Sequence, residues 1–114
     1  MTQELLDFGI DYNDAMERFL NNEGLYLSML KKLPEQFKRY SVLEHIRSGD
    51  IKAAVAGAHT LKGVVGCFSI KPLYEAYSKA TALLREGKAD EADSLLSDIL
   101  PTQERLVECI EKLL

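Results

Sequence analysis

The stretch Ala58-His59-Thr60-Leu61-Lys62-Gly63-Val64-Val65-Gly66 decides how this chain folds. Read as a helix advancing about 100° per residue, it puts positions three, four and seven after His59 on one face. Those positions are Lys62, Gly63 and Gly66, while Ala54, Ala58, Leu61, Val65 and Phe68 line up as an apolar stripe on another side. The helix thus has one aliphatic face to bury and another that carries a histidine, a lysine and two glycines. A glycine in a helix interior costs roughly 1 kcal/mol relative to alanine. Two of them beside one imidazole predict that something bulky comes close to the ring. A lysine one turn along predicts that what approaches, or what the ring carries, is anionic.

Helical periodicity continues outward in both directions, with hardly any strand-like alternation. Upstream, Asp11 and Asn13 are candidate caps for a short helix bearing Ala15, Met16, Phe19 and Leu20, and residues 21–24 read as a turn. Tyr26, Met29, Leu30, Leu33, Phe37 and Tyr40 then follow a helical pattern that runs on towards Leu43 and Ile46, with Pro34 either kinking it or opening a new helix. Ser48-Gly49-Asp50 is a stop followed by a cap, so the His59 helix spans about 51–68. Downstream, Pro72 is placed to open a helix carrying Leu73, Ala76, Tyr77, Ala80, Leu83 and Leu84, which ends near Gly87. A last pattern runs from Ala92 through Leu96, Ile99, Leu106 and Ile110 to Leu113, and Pro101 should bend or interrupt it. Four substantial amphipathic helices with short connections predict an all-α, antiparallel four-helix bundle with one or two short N-terminal helices, a single domain over residues 1–114.

Composition narrows the function classes. The chain has 114 residues, 46% hydrophobic and 28% charged, as in an ordinary globular domain. A net charge of −4 argues against nucleic-acid binding. No apolar run approaches a membrane span, and the start Met1-Thr2-Gln3-Glu4-Leu5 lacks the basic residues and apolar stretch of a signal peptide, so a cytoplasmic protein is expected. A monomer is expected as well. A natural-looking Met1 favours a standalone protein over a segment of a larger kinase. Cys67 and Cys109 have no metal-ligand spacing and are read as reduced thiols, Cys67 as packing.

A histidine can act as nucleophile, proton carrier or metal ligand, and its partners decide which. No Ser- or Cys-based triad signature accompanies His59, and His45, His59, Cys67 and Cys109 show no zinc-site spacing. Transient phosphorylation of the imidazole fits the neighbours better. Lys62 can hold the phosphoryl oxygens as a compact charge, and Gly63 and Gly66 leave room for a partner's active site. Such a carrier needs no base or metal of its own, because phosphoryl transfer is mostly positioning and charge neutralisation. The plainer reading, in which His59 is a surface residue and the glycines serve helix packing, stays open on spacing alone. His45, in Glu44-His45-Ile46-Arg47, lacks any such surroundings.

The segment Ala58-His59-Thr60-Leu61-Lys62-Gly63 resembles the signature of histidine-containing phosphotransfer domains of multistep phosphorelays. The likeness extends to Asp11-Tyr12, Arg18-Phe19 and Asn22-Glu23 before it, and to Leu73-Tyr74-Glu75-Ala76 and Leu83-Leu84-Arg85-Glu86-Gly87 after it. The resemblance implies a phosphoacceptor role for His59, phosphoryl stabilisation by Lys62 and access through Gly63. It implies a phosphocarrier rather than an enzyme, with no cofactor of its own and Mg2+ on the partner. The implied partners are response-regulator receiver domains and a hybrid histidine kinase. Helical spacing puts their docking surface over Gly63, Gly66 and Val55, with Ser78, Thr81 and Arg85 beside Tyr74 as a second wall on the next helix. Val64 and Val65 stand where the family has small residues, and no glutamine stands on the following helix to support the imidazole. The alternative from another class is an adaptor that keeps the bundle and binds a receiver or other signalling protein without being phosphorylated. Retention of both His59 and Lys62 argues against it.

Overall fold

The computed structural model describes residues 1–114 as eight helices: α1 Gln3–Leu6, α2 Tyr12–Arg18, α3 Glu23–Leu30, α4 Leu33–Arg39, α5 Val42–Arg47, α6 Ile51–Cys67, α7 Lys71–Arg85 and α8 Ala89–Leu113. Starts follow local chemistry. The side chains of Asp11, Asn22 and Asp50 accept the backbone N–H groups of Asp14, Leu25 and Ala53, at 3.1, 3.0 and 3.2 Å. Each such cap is worth about 1 kcal/mol because it satisfies an otherwise orphaned donor.

The fold is an all-α bundle. α6 packs on α7, α7 on α8, and α5 closes the ring by touching both α6 and α8. α1 lies on α8, and α2 lies against α3. Ala54, Ala58, Leu61 and Val65 from α6, Leu73, Tyr77, Ala80 and Leu84 from α7, and Leu96, Leu106 and Ile110 from α8 are all buried in one core. No helix is long and apolar enough to cross a membrane.

Three boundaries differ from the pattern reading. The pattern over residues 26–46 is three helices rather than one: Pro34 sits in the first turn of α4, and Ser41 separates α4 from α5. The turn upstream lies at residues 19–21, with left-handed φ of 54° and 60° at Leu20 and Asn21, and Gly24 is already inside α3. Pro101 does not interrupt α8, which runs 25 residues through it. The proline is exposed, and its turn is held on both sides by buried Leu96 and Leu106, so packing outweighs the one backbone bond it removes.

The corner between α6 and α7 is tied to the N-terminal helices. Ile10 and Ile70 form an isolated antiparallel bridge, in which the Asp11 N–H donates to the Ser69 carbonyl at 3.0 Å and the Lys71 N–H to the Gly9 carbonyl at 3.2 Å. Tyr26, fully buried, donates its hydroxyl to the Phe68 carbonyl at 2.7 Å, and its ring meets Phe19 and Phe68 edge-on. Burial pushes the Tyr26 phenol well above its usual pKa. Replacing Tyr26 by Phe keeps the ring and orphans the Phe68 carbonyl. It should cost about 1–3 kcal/mol, read as a lowered midpoint in urea unfolding with an unchanged slope. An unshifted midpoint would mean that this bond contributes nothing to the corner.

Candidate functional site

α6 supplies the site, and its glycines explain how. Gly57 lets α5 approach: a Cβ there would stand 3.3 Å from Val42 Cγ2 and 3.6 Å from Tyr40 Cβ. With Ala54, Ala58, Leu61 and Val65 turned into the core, His59 emerges exposed at the middle of the 17-residue helix. The neighbouring Thr60 hydroxyl folds back onto the Ala56 carbonyl at 2.9 Å.

One turn further, Lys62 is half-buried, and its Nζ lies 6.0 Å from the centroid of the Tyr74 ring. That contact is worth about 0.5–1 kcal/mol at an exposed site. Gly63 is exposed, and a Cβ added there would meet nothing within 4 Å. Gly66 differs. A Cβ there would lie 2.9 Å from Tyr74 Cδ2, so the missing side chain makes room for this chain's own tyrosine and not for a visitor. Gly66 still borders an open cleft of about 340 Å³, which Lys62, Gly63 and Tyr74 also line.

The other expected docking residues divide. Val55 is half-buried against the core, and Arg85 is exposed at the end of α7. Ser78 is half-buried, and its hydroxyl is enclosed without a hydrogen-bond partner. Thr81 is only 2% exposed and donates its hydroxyl to the Tyr77 carbonyl at 2.7 Å, so it cannot be part of a docking surface. The helical pattern of α7 put Thr81 on the same side as Ser78, but the packing of the bundle around α7 covers it. Cys67 is exposed and not a packing residue, whereas Cys109 is buried; both are free thiols. Burial, and then the neighbouring Glu4 carboxylate, raises the Cys109 thiol pKa. His45 lies half-buried on α5.

The pattern reading missed the far wall of the cleft. Arg18 from α2, Ser69 from the corner and Lys71 from the start of α7 line it. They converge on Asp14, whose Oδ2 accepts the Ser69 hydroxyl at 2.6 Å, Arg18 Nε at 3.1 Å and Lys71 Nζ at 3.4 Å. The Ser69 hydroxyl first, and then Arg18, hold the Asp14 carboxyl down at about 2. The four-residue spacing of Asp14 and Arg18 is a helix ion pair visible in sequence. Their meeting with residues 69 and 71 depends on the Ile10–Ile70 bridge. No three His, Cys, Asp or Glu side chains gather where they could hold a metal ion. Set against protein-family models, curated proteins and solved structures, the chain matches none of them.

Proposed function

We propose that this chain is a phosphorelay carrier, in which His59 takes a phosphoryl group from the aspartyl phosphate of a receiver domain and gives it to the aspartate of another. The observation that carries this reading is the exposure of His59 at mid-helix, with Lys62 and the open face of Gly63 in the next turn. The unprotonated imidazole nitrogen attacks phosphorus, the P–N bond forms as the aspartyl O–P bond breaks, and the carboxylate leaves. The ring then carries a positive charge that it sheds by releasing its other N–H proton to water. Lys62 balances the phosphoryl oxygens, while the receiver brings its Mg2+. The chain itself needs neither nucleotide nor metal, and a hybrid histidine kinase would feed the relay.

The test is incubation with a panel of radiolabelled phosphoreceivers. Label should appear on the chain as a species stable in alkali and lost in acid, and should return to a receiver when the mixture is chased. Binding of receivers with no label transferred would favour the unphosphorylated adaptor. Lys62→Ala should slow transfer roughly tenfold to a hundredfold, somewhat below the loss for a fully enclosed donor to a developing charge, and should leave the helical circular dichroism unchanged. Equal rates in both directions for Lys62→Ala and the parent would remove Lys62 from the mechanism.

A further inference from the structure

The cleft beside Gly63 concentrates positive charge on a chain whose net charge is −4. Three cations, Arg18, Lys62 and Lys71, surround it, against the single carboxylate of Asp14. The cations are positioned. Asp14 is fixed by the hydroxyl of Ser69, itself 1% exposed, and in turn holds Arg18 and Lys71 at the rim, while Lys62 pairs with no carboxylate and rests over Tyr74. Arg18 and Lys71 stay half-exposed, with side-chain accessibilities of 51% and 50%, so their remaining donors face the opening. The volume of about 340 Å³ admits one or two side chains.

Resting on the phosphocarrier reading, we infer that this cleft is a second recognition site for the receiver domain, taking an acidic side chain of the partner between Arg18, Lys62 and Lys71. Gly63 joins the two places. It lines the cleft and lies one turn from His59, about 6 Å along the axis at 1.5 Å per residue. A domain that brings an active site onto His59 therefore also covers the mouth of the cleft. A surplus of cations there rewards a partner carboxylate and penalises a partner that presents a basic residue, which is how charge selects among related domains. Lys62 serves both places, whereas Arg18 and Lys71 touch only the cleft. Those two residues are specificity determinants separate from the phosphoryl chemistry.

The experiment measures both binding and transfer for a receiver panel, using the parent, Arg18→Gln/Lys71→Gln and His59→Gln, at 50 and 300 mM NaCl. For the receiver that transfers best, the double variant should raise Kd and the KM for transfer about tenfold at 50 mM NaCl, and its Kd should depend less on salt than the parent's. The His59 variant should keep the parent Kd. Transfer with parent Kd and parent salt dependence in the double variant would overturn the cleft proposal and leave the phosphocarrier reading standing. Binding that weakens in the double variant, with no label ever reaching His59, would uphold the cleft and overturn the carrier. If no receiver binds, both fall. Should the double variant melt below the assay temperature, Lys71→Gln alone carries the test with an expected threefold loss. A threefold loss that is the same at both salt concentrations would point to structural damage and overturn the proposal.

Discussion

His59→Gln should accept no phosphoryl group from any receiver while unfolding at the parent temperature. The two halves of that expectation come from the same fact, the exposure of the ring. An exposed side chain outside any hydrogen-bond network contributes within about 0.5 kcal/mol to stability, so the variant keeps its fold. Glutamine retains bulk and polarity and removes only the nucleophilic nitrogen. The loss should therefore be complete, in contrast to the partial loss for Lys62→Ala, because no other residue can form the P–N bond at that position. His45→Ala serves as the control and should transfer like the parent. Acid-labile label on the His59 variant would place the phosphoacceptor elsewhere.

The second large effect separates two glycines that look alike in sequence. Gly63→Gln puts a side chain into open space on the proposed docking side. It should abolish transfer, by at least about a hundredfold if the partner's atoms are held off by 1 Å or more. It should also stabilise the free protein by about 0.5 kcal/mol, since glutamine is the better helix former. Gly66→Gln drives a Cβ into Tyr74, from a starting separation of 2.9 Å. Tyr74 must swing out, and overpacking of this kind costs about 1–3 kcal/mol, which exceeds the propensity gain. Paired melting and transfer measurements should show Gly63→Gln melting higher and inactive, and Gly66→Gln melting lower. A fall in melting temperature for Gly63→Gln would mean that its surroundings are not open. Parent-rate transfer by that variant would move the docking face off this side of α6.

Much of this was legible in the residues. The alternation of α6 between an aliphatic and a glycine-bearing face follows from its 3.6-residue period, as does the exposure of His59 opposite Ala58, Leu61 and Val65. Asp11 and Asp50 read as caps because their side chains have one short-range use before a helix. Pro34 was ambiguous for a physical reason: a proline in a first turn and a proline in a kink differ only in what precedes them. Pro101 misled, because local propensity is weaker than the tertiary packing around it. The distinct jobs of Gly57, Gly63 and Gly66 depend on Val42, Tyr74 and solvent, and none of these can be assigned before the helices are docked. The same holds for Thr81, and for the meeting of Asp14 with Ser69 and Lys71, which lie 55 and 57 residues away along the chain.

The three glycines of α6 also carry a dynamic consequence. With Gly57, Gly63, Gly66 and the β-branched Ile51, Val55, Thr60, Val64 and Val65 among its 17 residues, this segment loses much of the helix tendency that its four alanines give it. Its order is borrowed from α5 and α7. Amide protons around His59 are therefore released to solvent chiefly when the whole bundle opens, despite lying under an exposed side chain. The exposed ring is thus presented by a segment whose order depends on its neighbours, and a change that loosens the bundle far from His59 would be felt there as a drop in hydrogen-exchange protection.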